Sequence, residues 1–332
     1  MAKIIGAEAN IGIAKEAVRG TVETTATFWM PKAELTVDDK ADMAIDDSTI
    51  GVIEDARCQA VVNKFAEGDF AGSIKLDFMG LLLLSTLGSV STSLDDPEAT
   101  VNTHTFNVLQ SIQHPSLTLF IADGENDFRH PLGMIASYGI SAELDSFIKV
   151  NVAFRSKVGV LEGGGLTPVY STDDFCGFIP KDMEFKVATD VAGLDGASAI
   201  GIRTIDFTIE KNVEDDRVLG SVDPVDINNK QMSIEGSMEI VFDDTIAQAF
   251  KDDMLGDIAK AMRIKMVNSD VTIGATSNPT LQFDFNKVKF TEFTRNYGNG
   301  DIVTASVSFK ALYKQSEAKM IEAVIINTVD SY

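Results

Sequence analysis

The residues that could do chemistry are few. The chain has three histidines, His104, His114 and His130. A metal site would need imidazoles at helical or hairpin spacing with a carboxylate partner. These three fall on or beside separate alternating segments in no such register, so no metal is expected. Asp123-Gly124-Glu125-Asn126-Asp127 gathers calcium-like oxygens but lacks a twelve-residue loop closed by a bidentate glutamate. A hairpin turn accounts for it. Gly163-Gly164-Gly165 has no Gly-Lys-Ser/Thr ending and reads as a linker rather than a phosphate loop. Ser, His and Asp all occur, yet no Gly-x-Ser-x-Gly elbow presents a nucleophile. Two cysteines, Cys58 and Cys176, make neither a disulfide framework nor a zinc site and fit a reducing cytoplasm. The expectation is a protein that is no enzyme and that uses no cofactor and no metal.

Acidic segments carry more. Between Glu34 and Asp55 stand Glu34, Asp38, Asp39, Asp42, Asp46, Asp47, Glu54 and Asp55 against Lys40. Between Ile205 and Asp226 stand Asp206, Glu210, Glu214, Asp215, Asp216, Asp223 and Asp226 against Lys211 and Arg217. Each stretch has an apolar tip: Ile50, Val52 and Ile53 in the first, Val218, Leu219 and Val222 in the second. Exposed apolar residues rimmed by charge mark interfaces. Asp46, Asp47, Ile50, Val52, Ile53, Asp215, Asp216, Val218, Leu219 and Val222 are therefore candidate contacts with a neighbouring subunit, a solvated charged loop being the alternative.

The whole chain is acidic, with 28 Lys and Arg against 50 Asp and Glu, a formal net charge of −22 and a pI of about 4.4. This argues against holding nucleic acid through its phosphates, which requires cations to displace counterions. It argues equally against docking on anionic membranes. A surface past which DNA slides without sticking remains compatible. The longest apolar run, Leu81 to Leu84, is too short to span a bilayer, and the opening residues lack the apolar stretch of a secretion signal.

Four sequence blocks recur in the same order. Gly72 to Phe78 parallels Gly236 to Phe242. Asp47 to Gly51, with Ile53-Glu54, parallels Asp216 to Gly220, with Val222-Asp223. Ser116 to Ile121 parallels Ala261 to Met266, and Ile148 to Phe154 parallels Val303 to Phe309. Apolar residues keep the same parity in each pair, the mark of a duplicated unit. The 332 residues suit two units of roughly 150 residues each. Residues 1–160 form the expected first domain, 169–313 the second, with 161–168 as Gly-rich linker and 314–332 as a tail. The tail either packs on a neighbour or closes its own domain. Residues 89 to 105 have no equivalent in the second half and read as an inserted surface loop.

Period-two alternation places strands at Ile74–Phe78, Leu117–Ile121, Ile148–Phe154, Met262–Met266 and Val303–Phe309. One helix is expected per half: Met79 to Leu87, ending at Gly88, and a second with Ile246, Phe250, Met254 and Ile258 on one stripe, capped by Asp244 or Thr245. The fold class is mostly β (α+β), two tandem β-sandwich or barrel domains each flanked by one α-helix. Each strand has one apolar and one polar face, leaving Lys75, Asp77, Lys149, Asn151, Thr304 and Ser306 towards water.

The opening Ile11-Gly12-Ile13-Ala14-Lys15-Glu16, then Gly20-Thr21, then Phe28-Trp29-Met30-Pro31, resembles the start of siphophage tail tube proteins. The order strand, long acidic loop, Gly-rich strand start, helix and closing strands is similar as well. The resemblance implies a β-sandwich whose sheets join between subunits into a barrel lining a DNA channel, with rings stacking into a tube. Its partners would be further copies of itself, a tape measure protein and tail terminator or baseplate proteins, with phage DNA passing unbound and no membrane insertion. The location implied is the virion tail, assembled in the host cytoplasm. Because the unit is doubled here, three chains would supply the six domains of a ring, and the acidic tips would join stacked rings. The alternative is a duplicated β-sandwich decoration or baseplate accessory protein of a phage particle.

Overall fold

A computed structural model describes residues 5–48, 50–95, 100–162, 165–171, 175–243 and 245–332. The protein is mostly β, with long antiparallel strands and two α-helices among the described residues. In order come β1 (Asn10–Lys15), β2 (Phe28–Met30), β3 (Glu34–Asp46), β4 (Cys58–Ser73), α1 (Leu76–Leu87), β5 (Gly88–Leu94) and β6 (Asn102–Val108). Then follow β7 (Leu117–Ala122), β8 (Phe128–Ala142), β9 (Lys149–Ser156), β10 (Val160–Leu161), β11 (Met183–Ala188), β12 (Thr204–Glu210), β13 (Glu214–Asp216) and β14 (Asp226–Asn228). The chain closes with β15 (Ser233–Val241), α2 (Ile246–Leu255), β16 (Lys260–Val267), β17 (Thr280–Asn296), β18 (Thr304–Ala311) and β19 (Ile321–Asn327).

Eight of these strands pair in an unbroken antiparallel series: β3, β4, β9, β8, β12, β15, β18 and β17. The first four and the last four follow one connection order. In both, the long strand bends at a bulge: the β8 register shifts between Ile135 and Ser137, the β17 register between Phe290 and Glu292. An extra residue there bends the strand and increases its twist. The N-terminal part of β8 thus leaves the series to pair with β7 and β10, with β1 and β2 beyond. Likewise the N-terminal part of β17 pairs with β16 and β19, with β11 beyond β16.

One face of the eight-strand series is apolar. Val150, Val152, Phe154, Tyr138, Ile140, Ile205, Phe207, Ile209, Met238, Val307 and Phe309 are all buried on it. They belong to one continuous core that also takes in α1 and the bent halves of β8 and β17. Phe283 of β17 meets Tyr138 of β8 at 6.4 Å and Phe207 of β12 at 5.1 Å. Aromatic pairs at such separations add to the area they bury.

The structure corrects several expectations. Ile74 to Phe78 is not a strand: β4 stops at Ser73 and α1 begins at Leu76. The leucines that follow are apolar on every side, so the segment becomes a helix buried all round rather than a two-faced strand. Gly88, at φ 97°, ends it by donating its N–H to the Leu84 carbonyl. Lys75 and Asp77 consequently lie off the sheet, Lys75 Nζ donating to the Phe175 carbonyl. Thr304 is buried, whereas Lys149, Asn151 and Ser306 are exposed as expected.

Residues 89 to 105 form no mere loop, because β5 and β6 make a hairpin whose outer strand pairs with β19. Asp96-Pro97 lies outside the described residues, as do Thr49, Gly163-Gly164 and the proposed cap Asp244. Thr245 makes no side-chain cap; Asp243 Oδ1 instead accepts from the N–H groups of Thr245, Ile246 and Ala247 at 3.2, 2.6 and 3.0 Å. Ile258 falls beyond the end of α2 and is exposed. The tail packs on its own chain. β19 joins β17 to β6, and the Tyr332 hydroxyl donates to the Leu76 carbonyl of α1 at 3.0 Å.

Candidate assembly surfaces

The polar face of the eight-strand series is biased towards acid. It carries Glu34, Asp38, Glu67, Asp69, Asp206, Glu210, Glu235, Glu239 and Glu292 against Lys40, Lys149, Arg155, Lys289 and Lys310. Most of the cations are already engaged. Lys40 pairs with Glu67, Arg155 with Glu67 and Asp215, Lys289 with Asp257, and Lys310 with Glu235. Asp38, Asp69, Asp206 and Glu239 make no ion pair among the described residues, so the face keeps a negative potential. Burial raises the Glu210 carboxyl above its usual range. Two hollows, of about 410 and about 240 Å³, cross the seam where β8 meets β12. The polar side is therefore grooved where the two halves of the series join.

The two acidic tips end two hairpins. The first closes where Asp46 opposes Cys58, the second where Asp216 opposes Asp226. Gly51 and Gly220, at φ 86° and 95°, take left-handed conformations that favour glycine. Asp46 accepts from Ser48 N and from the Arg57 guanidinium at 3.1 and 2.8 Å, and these bonds, Ser48 first, hold its carboxyl below the usual range. Asp47, Ile50, Val52 and Ile53 are exposed, Ile53 completely at 102%. Val218 and Leu219 are exposed too, Leu219 at 104%.

Asp215 and Val222 are placed differently. Asp215 takes a bidentate bond from Arg155, 2.6 Å at each oxygen, and its side chain is 6% exposed. The Val222 carbonyl accepts from Lys64 N at 2.8 Å, and Arg217 donates to the Val62 carbonyl at 2.9 Å. The second tip thus lies along β4, tied down by Arg155, whose guanidinium also sits 3.9 Å over the Phe65 ring. Sequence reasoning missed Arg155. The available signal was its parity: it follows Lys149, Asn151 and Ala153 on the polar side of β9.

His104, His114 and the Asp123–Asp127 turn are held by internal hydrogen bonds. Thr92 Oγ1 lies 2.8 Å from His104 Nδ1, whose Nε2 faces the Val329 carbonyl at 2.9 Å. His114 sits between the carbonyls of Thr86 and Leu109. Burial lowers the pKa of all three histidines. Asp123 caps its own turn, accepting from Glu125 N and Asn126 N, and Asp127 accepts from Gly165 N and Leu166 N. No cluster able to hold a metal ion occurs among the described residues. No helix is long and apolar enough to cross a membrane among the described residues.

The opening motif has a structural job. Gly12 of β1 opposes Trp29 of β2, and a Cβ on it would stand 2.9 Å from the indole. Glu16 is buried, and its carboxylate accepts from Gly20 N, Leu132 N, Ser116 Oγ and Thr118 Oγ1 at 2.6, 2.7, 2.5 and 3.2 Å. One carboxylate so joins the turn after β1 to β7 and β8.

The family model for phage tail tube protein matches residues 6–311, from the turn before β1 to the end of β18. The chain belongs to the phage tail tube protein family. It is a structural component of the virion tail, of a kind that self-assembles into a tube. Comparison with curated proteins gives no match.

Proposed function

We propose that this chain is the major tail tube subunit of a phage with a long non-contractile tail. It contains two tandem tube domains, residues 1–160 and 169–313, joined by 161–168. Three chains close a ring of six domains, rings stack into the tube, and the tube conducts DNA. The observation that carries this reading is the recurrence of one strand order, with one bulge position, in β3-β4-β9-β8 and β12-β15-β18-β17. A subunit built from two like units closes a pseudo-sixfold ring with half the usual number of chains.

The acid-biased face of that series is the surface presented to DNA. Phosphates are repelled there rather than held, since few cations are free to replace their counterions. The exposed tips, Ile50 to Ile53 and Val218-Leu219, make contacts between stacked rings. Assembly takes place in the host cytoplasm, with a tape measure protein and tail terminator or baseplate proteins as partners. Native mass spectrometry of rings, with class averages from negative-stain micrographs, tests the stoichiometry. Three chains per ring are expected, and six would overturn it.

A further inference from the structure

The chain contains a template for its own interface. β8 of the first half is joined to β12 of the second along a defined register: Ala142 opposite Ile205, Ser141 opposite Asp206, Ile140 opposite Phe207, Gly139 opposite Thr208, Tyr138 opposite Ile209 and Ser137 opposite Glu210. In the series of eight strands, two edges have no such partner among the described residues. β3 pairs with β4 alone, and the part of β17 beyond its bulge pairs with β18 alone. These are the counterparts of the joined pair, β3 of β12 and β17 of β8. Unpaired strand edges are templates for a further strand.

Internal landmarks fix the correspondence to the residue. Phe154 opposes Gly68 as Phe309 opposes Gly236, and Thr36 O and Asp206 O crowd the same face of those glycines. Asp206 therefore corresponds to Thr36. Ile135 opposes Phe154 as Phe290 opposes Phe309, and the bulge follows in both, so Ser137 corresponds to Glu292.

We propose that β3 of one copy pairs antiparallel with the outer part of β17 of the next, in the register Leu35–Tyr297, Thr36–Asn296, Val37–Arg295, Asp38–Thr294, Asp39–Phe293 and Lys40–Glu292. The proposal rests on the tube reading above and names the contact by which one chain follows another. The charges at these positions suit the register. Lys40 meets Glu292, no row opposes like charges, and Arg295 lies diagonal to Asp39 on one face. Tyr297, 68% exposed in the single chain, meets Leu35. Opposed residues on neighbouring strands interact directly, and opposite charges there stabilise. The contact is head to tail, as a closed ring requires.

Site-directed disulfides test it in the full chain with Cys58→Ser and Cys176→Ser as parent. Opposed strand positions lie within disulfide reach, whereas a slip of two residues puts them beyond it. Asp38→Cys with Thr294→Cys is the in-register pair, and Asp38→Cys with Asn296→Cys is the slipped one. Within one chain the two positions sit at opposite edges of eight strands, seven spacings of about 4.8 Å apart along the sheet, so only bonds between chains can form. After mild oxidation of assembled material, non-reducing gels should show covalent dimers and a closed trimer for the first pair and monomer for the second. Rings or tubes in micrographs without that cross-link, or with the slipped one instead, overturn the pairing and leave the tube reading standing. A parent that forms neither rings nor tubes overturns both.

Discussion

Phe154 of β9 lies over Gly68 of β4. A Cβ on Gly68 would stand 2.9 Å from the ring tip and 2.1 Å from the Thr36 carbonyl oxygen. Phe309 stands over Gly236 in the same way, with the Asp206 carbonyl in place of that of Thr36. The ring covers backbone that glycine leaves bare. Gly68→Ala and Gly236→Ala are each expected to cost about 1–3 kcal/mol, because the crowding atom is backbone and cannot rotate away. Urea unfolding measures this. A variant as stable as the parent would show that the sheet relaxes freely there.

Glu16 makes a second test. Its carboxylate serves four donors in a buried place. Glu16→Ala leaves the buried N–H of Leu132 unsatisfied, at about 1–3 kcal/mol, and removes the partner of the half-buried Gly20 N–H. Glu16→Gln keeps the shape and should lose less. If the two variants unfold at the same urea concentration, the hydrogen bonds do not set the effect.

The acidic tips divide into two classes. Asp215→Asn should destabilise the chain itself, because the half-buried Arg155 loses the charge of its bidentate partner and keeps only Glu67. Ile53→Asp with Leu219→Asp should leave the melting temperature unchanged, since both side chains are fully exposed, and should stop tubes from growing. Tubes of ordinary length from that double variant would show that the tips are solvated flaps.

Lys211 links stability to pH. Its ammonium is buried, donating to the Ser85 carbonyl at 2.6 Å, and burial, aided by Arg19, lowers its pKa to about 7. In the unfolded chain the group keeps its ordinary value of 10.5. Between these values the unfolded chain binds a proton that the folded chain does not. This group's contribution to stability therefore rises with pH across that window, by at most about 1.4 kcal/mol per pH unit, and is flat below it. Lys211→Met should abolish the rise. Unfolding free energies of parent and variant at several values from pH 7 to 9 check this, and a constant difference would refute it.

Charge on the polar face should matter to ejection and not to folding. Asp69→Lys and Asp206→Lys replace exposed acids with cations, each adding on the order of 1 kcal/mol of attraction to a nearby phosphate in a partly screened channel. Particles carrying such tubes should assemble normally and release DNA more slowly. Unchanged ejection would remove lumen charge from the account.

Strand positions and their faces were legible in sequence where alternation was clean. Ile148 to Phe154, Met262 to Met266 and Val303 to Phe309 fall on strands with the expected sides buried, whereas Leu117 to Ile121 is a strand buried on both faces, Thr118 and Phe120 included. A period of two has a blind spot, because a slip by an even number leaves every side chain on its face. The blocks aligned as Gly72 with Gly236 match in space as Gly68 with Gly236, a slip of four. Those aligned as Ile121 with Met266 match as Ile121 with Ile264, a slip of two. Only the opposing strand, through Phe154 and Phe309, settles the register. Ile74 to Phe78 alternates as well as any strand, yet the leucines after it recruit it into a helix. Tertiary structure alone brought β8 beside β12, laid the second tip along β4, and turned the tail back onto α1. Those outcomes depend on pairing between residues far apart in the chain, whereas hydrophobic pattern specifies which face is buried and not which strand lies beside it.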